Sequence, residues 1–237
     1  MATIFRFKEF SIDQENCAMK IGTDGVLLGA WSTLHHRPQS LLDIGAGTGV
    51  IALMLAQRSD AETIDAIEIE EGAYEQCVAN FENSPWGDRL FCYHAGFDEF
   101  VEEMDEKYDL IVSNPPFYSE KVSSGDTSRD QARQNASLPF EELIEGVGHL
   151  LAEKGVFSTI VPYDKEPYLL KLAVKHGLYA RRITHVKGTP TTAVKRSLIE
   201  FSFKPSEPRV EELVIEIERH RYTPEYIALT RDFYLKM

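Results

Sequence analysis

The sequence predicts a doubly wound α/β fold, in which helices cover both faces of a mainly parallel sheet. Two observations support this prediction. Short apolar segments alternate with segments of helical periodicity from residue 41 to residue 186, which is the pattern of parallel strands joined by crossover helices. A glycine-rich turn, Gly45-Ala46-Gly47-Thr48-Gly49, follows the first of these strands and precedes a helix. That arrangement is typical of a nucleotide-type cofactor site.

The chain begins with alternating apolar and polar residues at 5–10, which predict a short strand or hairpin. A helix capped by Thr23 or Asp24 is expected to lead to Trp31. Strands are predicted at 41–44, 63–69, 90–94, 108–113, 155–161, 179–186, 197–203 and 212–217. Helices are predicted at 50–57, 72–82, 97–104, 139–153, 167–176 and from 224 onwards. Residues 118–137 are polar and aperiodic, which indicates a long loop.

Composition narrows the class of protein. The 237 residues predict one domain, with an N-terminal extension at 1–37 and a core at 38–237. No apolar run is long enough to span a bilayer and the N-terminus lacks a secretory pattern, so we expect a cytoplasmic protein without a membrane partner. Cys17, Cys77 and Cys92 are far apart, which argues against disulfides and against a metal site. We expect a monomer.

The formal net charge of -13 argues against nonspecific nucleic-acid binding but leaves room for a local basic patch.

The glycine turn has the spacing Gly45-x-Gly47-x-Gly49, with Asp43 at the end of the preceding strand. A dinucleotide fingerprint needs the third glycine one residue later, and a phosphate-binding loop needs a following Gly-Lys-Ser/Thr. A ligand without phosphates fits this turn better. Glu68 ends the next strand, where a carboxylate can accept both hydroxyls of a ribose. The alternative for Glu68 is a solvated acid at a strand end, beside Glu70 and Glu71.

The apolar strand at 108–113 runs directly into Asn114-Pro115-Pro116-Phe117. Proline cannot donate a ladder hydrogen bond, so two prolines end the strand in a stiff, extended turn. This turn is expected at the carboxyl end of a parallel strand, where open α/β sheets bind ligands. The alternative is a strand stop with no further role.

Asp43 to Gly49, Glu68 and Asn114 to Phe117 together resemble the class I S-adenosylmethionine-dependent methyltransferases. The resemblance implies S-adenosylmethionine as cofactor and a Rossmann-like sheet of seven strands, one of them antiparallel. The pair at 179–186 and 197–203 fits that antiparallel hairpin. The family often places an acid after the third strand to hold the cofactor adenine. Gly96 stands at that place here, so the role passes to Asp98, or to backbone atoms at Gly96 and Phe97.

In that family, the Asn-Pro-Pro-aromatic motif accompanies methylation of a planar, conjugated nitrogen. The resemblance implies that the Asn114 side-chain oxygen and the Pro115 carbonyl accept the two amine N–H groups, while Phe117 stacks on the target. Pro116 keeps the turn rigid. Three substrates share the motif: adenine N6 in nucleic acid, guanine N2 in ribosomal RNA, and glutamine in a protein.

Further segments are similar to the bacterial tRNA1(Val) adenine(37)-N6-methyltransferase family: residues 7–10, 17–31, 52–58, 83–86, 129–133 and 195–196. The resemblance implies a tRNA partner. The anticodon-loop adenine is largely unpaired, so moving it into the site costs little unstacking energy. The 17–31 segment is expected over the ligand edge of the sheet, which adds Thr23 to the cofactor-binding residues. The cations expected to face RNA are Lys20, Arg129, Arg133, Lys187, Lys195 and Arg196.

Overall fold

A computed structural model describes residues 4–17, 19–116 and 138–236. The helices are α1 (Thr23–Trp31), α2 (Val50–Arg58), α3 (Glu71–Glu82), α4 (Phe97–Glu103), α5 (Phe140–Leu150), α6 (Glu166–Lys175) and α7 (Pro224–Thr230). The strands are β1 (Phe5–Arg6), β2 (Ser11–Ile12), β3 (Ser40–Ile44), β4 (Thr63–Glu68), β5 (Leu90–His94), β6 (Tyr108–Ser113), β7 (Leu151–Pro162), β8 (Tyr179–Lys187), β9 (Val194–Ser202), β10 (Arg209–Val214), β11 (Glu216–Glu218) and β12 (Arg221–Tyr222).

The central sheet has the strand order β10-β8-β9-β7-β6-β3-β4-β5. Only β9 runs antiparallel to its neighbours β7 and β8 among the described strands of this sheet. The expected arrangement of seven strands with one antiparallel member is therefore confirmed. An eighth strand, β10, extends it by pairing in parallel with β8.

Helices cover both faces of the sheet, as the alternating pattern predicts. One hydrophobic cluster joins the sheet to α1, α2, α3 and α7. A second cluster joins its other face to α4, α5 and α6. In the described residues, none of the helices combines the length and the apolar character needed to cross a lipid bilayer.

The strand register aligns the residues that matter for the site. Ile44 at the end of β3 pairs with Ile67 on β4 and with Ser113 at the end of β6. The glycine turn and Asn114 therefore begin one residue beyond neighbouring strand ends, at the same edge of the sheet.

Several predicted boundaries differ from the structure: β7, β9 and β10 each begin three or four residues earlier than predicted, and two helix ends also differ. Gly22 precedes α1 and no side chain caps this helix, so Thr23 is its first residue and not its cap. The Asp24 carboxylate instead pairs with Arg196, with 2.7 Å between Oδ2 and Nε. The helix predicted to reach residue 153 ends at Leu150, because β7 begins directly at Leu151.

Candidate active site

A cavity of about 580 Å³ lies at the carboxyl edge of β3, β4 and β6. Residues from six places in the chain line it: the N-terminal segment, the glycine turn, the end of β4, the start of α4, the segment after β6, and the start of α5. Those among them that the sequence predicts for the site are Gly45, Gly47, Glu68, Asp98, Asn114, Pro115 and Pro116. The fold thus brings the predicted cofactor residues and the predicted catalytic segment into one space.

The glycine turn presents bare backbone to the cavity. Gly45 and Gly47 have φ angles of 72° and 55°, a region that residues with a Cβ rarely adopt. A Cβ built at either position would meet no atom within 4 Å, so this space is open to a ligand. The backbone N–H groups of Gly45 and Ala46 both donate to the Ile67 carbonyl at 3.0 Å, which holds the turn against β4.

Gly49 has a different role from the other two glycines. It does not line the cavity, and a Cβ there would lie 2.6 Å from Phe81 Cε1 and 2.9 Å from Cys77 Sγ. The third glycine lets the start of α2 pack closely against α3. The sequence placed Gly49 among the cofactor-binding residues; its surroundings are those of a packing position.

Glu68 is held in place by two backbone hydrogen bonds. Its Oε2 accepts from the N–H of Gly47 at 2.8 Å, and its Oε1 accepts from the N–H of Glu70 at 2.9 Å. The side chain is nearly buried and lines the cavity. Because each carboxylate oxygen can accept more than one hydrogen bond, both oxygens keep capacity for a ligand.

Asp43 lies beneath the glycine turn rather than in the cavity wall. It is 1% exposed, and its Oδ2 accepts from the N–H of Ala52 at 3.1 Å. Its Oδ1 has no hydrogen-bond partner among the described residues. Burial raises the pKa of Asp43 to about 7, with a further contribution from the charge of Glu68 and opposed by the Ala52 hydrogen bond.

The segment at the start of α4 explains the glycine at position 96. Gly96, Phe97 and Asp98 all line the cavity. A Cβ on Gly96 would lie only 2.7 Å from Asp98 Oδ1, so the Asp98 carboxylate occupies the space that a side chain at position 96 would need. The Asp98 carboxylate is thus the acidic group beside position 96 in the cavity wall.

Asn114 is half-buried at the end of β6, and its side chain makes no hydrogen bond to another described residue. Ser113 ties this point to β3, because its Oγ donates to the Ile44 carbonyl at 3.0 Å. Phe117 lies outside the described residues. Among the described residues, none occupies the hydrogen-bonding groups of the Asn114 amide, which precedes the two prolines in the cavity wall.

The N-terminal segment reaches the cavity through residues that the sequence did not single out. Cys17 and Met19 line it, whereas Thr23 is exposed at the start of α1 and does not. Leu138 and Pro139, just before α5, and Glu142 in its first turn also line the cavity. The similarity of the 17–31 segment to known proteins was the available signal for Cys17 and Met19; none pointed to the start of α5.

The cations expected to face RNA have different surroundings. The Lys20 ammonium donates to the carbonyls of Gln14 and Glu15. Arg196 pairs with Asp24, and Lys187 pairs with Glu212 at 2.7 Å. Lys195 is exposed. Arg129 and Arg133 lie outside the described residues, so of the described group Lys195 offers the most accessible charge.

Comparison with known proteins identifies the family of the chain. The sequence-family model of the methyltransferase small domain matches residues 21–173. A protein from Christiangramia forsetii named tRNA1(Val) (adenine(37)-N6)-methyltransferase is 63% identical over 235 residues, covering 98% of each chain. A protein of the same name from Bacteroides fragilis (strain ATCC 25285) is 44% identical, again covering 98% of each chain.

Solved structures agree on the fold. A protein described as a predicted O-methyltransferase from Agrobacterium tumefaciens superposes with a TM-score of 0.66 at 20% identity, covering 89% of this chain and 96% of that one. The tRNA m1G37 methyltransferase of M. jannaschii gives a TM-score of 0.55 at 16% identity, covering 85% of this chain and 54% of that one. The family-model match and the relatives at 63% and 44% identity show that the chain belongs to the methyltransferase small domain family, alongside the bacterial proteins named tRNA1(Val) (adenine(37)-N6)-methyltransferase.

Proposed function

We propose that this enzyme transfers the methyl group of S-adenosylmethionine to the N6 amine of adenine 37 in the anticodon loop of tRNA1(Val). The observation that carries the proposal is that Asn114, Pro115 and Pro116 line the same cavity as the glycine turn and Glu68. The name shared by the relatives at 63% and 44% identity supports this choice among the substrates that the motif allows.

The cavity fits an adenosyl cofactor without phosphates. In our proposal the two fixed oxygens of Glu68 accept the ribose hydroxyls, and the open backbone at Gly45 and Gly47 receives the rest of the cofactor's polar chain. Asp98 is assigned to the adenine amine, since its carboxylate lies at the wall beside Gly96. Asp43 supports the turn from below rather than touching the cofactor.

The protein contributes to the reaction mainly by positioning the adenine amine against the methyl group. When bound, S-adenosylmethionine supplies a methyl group already activated by its sulfonium. The exocyclic amine of adenine is a weak nucleophile, because its lone pair is delocalised into the ring. The Asn114 side-chain oxygen and the Pro115 carbonyl would each accept one amine N–H, which directs the lone pair at the methyl and stabilises the charge that develops. Phe117 would stack on the base.

The test is methyl transfer from labelled S-adenosylmethionine to an unmodified tRNA1(Val) transcript, followed by nucleoside analysis of the product. We expect N6-methyladenosine, and no incorporation into a matched transcript in which guanine replaces adenine 37. N2-methylguanosine, or label in protein alone when an extract is the substrate, would overturn the proposed reaction.

A further inference from the structure

The segment before α1 forms one wall of the cavity although it lies outside the central sheet. We call residues 13–17 and 19–21 the N-terminal strap. Its Cys17 and Met19 line the cavity together with Glu68 and Glu70. Because no sheet ladder fixes the strap, its position depends on contacts with neighbouring side chains.

Helix α3 supplies these contacts along one stripe of its surface. Gly72, Gln76 and Asn80 are spaced four residues apart, so they share one face of the helix. A Cβ on Gly72 would lie 3.4 Å from the Asn16 carbonyl oxygen, so the strap passes close to the helix backbone. Gln76 is buried, and its Oε1 accepts from the N–H of Asn16 at 3.4 Å.

Asn80 makes the strongest link, and it also reaches the glycine turn. It is 3% exposed. Its Oδ1 accepts from the N–H of Asp13 and its Nδ2 donates to the Asp13 carbonyl, both at 2.9 Å. The same Nδ2 donates to the carbonyl of Thr48, also at 2.9 Å. Both N–H groups of the amide and its oxygen are therefore engaged.

Thr48 is the residue between Gly47 and Gly49, so the Asn80 amide joins two walls of the cavity that are far apart in sequence. We propose that Asn80 is a positioning residue that couples the N-terminal strap to the glycine turn, so that the cofactor orders both together. The identity of that cofactor rests on the proposed function; the coupling itself rests on the hydrogen bonds of Asn80. Coupling of this kind is reciprocal: whatever loosens the strap must weaken cofactor binding.

The experiment combines hydrogen–deuterium exchange with cofactor titration. In the wild-type protein, S-adenosylmethionine should slow amide exchange both in the strap and at 45–49. In Asn80→Ala, the buried Thr48 carbonyl and the part-buried N–H and carbonyl of Asp13 lose their partner. We expect affinity for the cofactor to fall about tenfold. The strap should then exchange at the same rate with and without cofactor, and the KM for cofactor should rise by a larger factor than kcat falls.

Asn83→Ala is the matched control. Asn83 is exposed at the end of the same helix, and its Nδ2 donates only to the local Ala79 carbonyl, at 2.7 Å. This variant should keep wild-type cofactor affinity and wild-type strap protection.

Two results would overturn the coupling. One is an Asn80→Ala variant that binds S-adenosylmethionine as tightly as Asn83→Ala does. The other needs no variant: a wild-type protein that binds the cofactor and protects the glycine turn while strap exchange stays unchanged. A wild-type protein that binds no S-adenosylmethionine would overturn the proposed function as well, which separates the two failures.

Discussion

The two functional walls of the cavity are held in different ways. On the wall assigned to the cofactor, backbone N–H groups bind both oxygens of Glu68, and the Ile67 carbonyl holds the glycine turn. On the wall assigned to the substrate, Pro115 and Pro116 stiffen the backbone, and the Asn114 amide bonds to no other described residue. The first wall is shaped by internal hydrogen bonds. The second keeps its hydrogen-bonding groups for a ligand, so substitutions on the two walls should affect different kinetic parameters.

The largest effect should follow from Asn114→Ala. Removing the amide oxygen should lower the methyl-transfer rate at saturating cofactor by about 10²- to 10³-fold, or about 3–4 kcal/mol, because the acceptor acts where charge develops. Cofactor affinity should not change, since the amide belongs to the other wall. Single-turnover transfer to tRNA and calorimetric titration of the cofactor measure the two quantities. Asn83→Ala serves as the control, and an Asn114→Ala rate within about threefold of it would refute the assignment.

The next effect concerns the stability of the cofactor wall. The pKa of buried Asp43 is raised from 3.8 to about 7, so the folded protein binds its proton more tightly than the unfolded chain does. The free energy of unfolding should therefore fall as pH rises from about 4 to 7, and the loss should be complete above pH 7. Asp43→Asn removes this term.

Urea unfolding of both proteins measures the Asp43 effect. We expect the stability of Asp43→Asn relative to wild type to increase by roughly 2–3 kcal/mol between about pH 5 and about pH 8. A difference that stays flat over this range would show that Asp43 keeps an ordinary pKa beneath the turn.

A smaller effect is expected from Glu68→Gln. A glutamine has one acceptor oxygen, so the N–H of Gly47 or of Glu70 would lose its partner and the ribose would lose a charged acceptor. Affinity for S-adenosylmethionine should fall about tenfold, or about 1.4 kcal/mol, with little change in kcat. Calorimetric titration tests this against Glu71→Gln, an exposed acid in the first turn of α3. Equal affinities for the two variants would count against the ribose role.

The same contrast explains how far the sequence could predict the site. Local sequence patterns indicate the strand, the glycine turn, the helix and the proline stop after β6. The prediction that Glu68 and Asn114 lie at or directly after the ends of parallel strands, at one edge of the sheet, therefore agrees with the structure. The Asn80–Asp13 bond joins residues 67 positions apart, and no local pattern reports it. The role of Gly49 was equally hidden, because it depends on Phe81 and Cys77 approaching from another helix.

Charged residues were the hardest to interpret from sequence. Arg196 and Lys20 were expected to face RNA. In the structure, Arg196 forms an ion pair with Asp24, and the Lys20 ammonium donates to two backbone carbonyls. Long cationic side chains reach partners that depend on the packing of distant elements, such as Asp24 on α1 for Arg196. Sequence identifies a cation but not its partner. Lys195 is singled out because it is exposed and, unlike the exposed Lys20, has no side-chain bond to another described residue.

The smallest predicted effect is that of Lys195→Glu on tRNA binding. Lys195 is exposed at the start of β9, and Arg196 next to it pairs across the sheet with Pro162 at the end of β7, on the edge that carries Asn114. Reversing this charge should raise the KM for tRNA by about three- to tenfold at low salt, and the difference should shrink as salt rises, because phosphate contacts release counterions.

Lys204→Glu provides a matched control for that variant. Lys204 is also exposed, but it follows the end of β9, and since β9 runs antiparallel to β7 it lies at the opposite edge of the sheet. Both substitutions change the net charge equally, so long-range repulsion of RNA by an acidic protein contributes to both. If the KM for tRNA rises more in Lys195→Glu than in Lys204→Glu, and if this difference is largest at low salt, the tRNA backbone lies at the sheet edge that carries Asn114. Equal KM values for the two variants would contradict a contact between Lys195 and a tRNA phosphate.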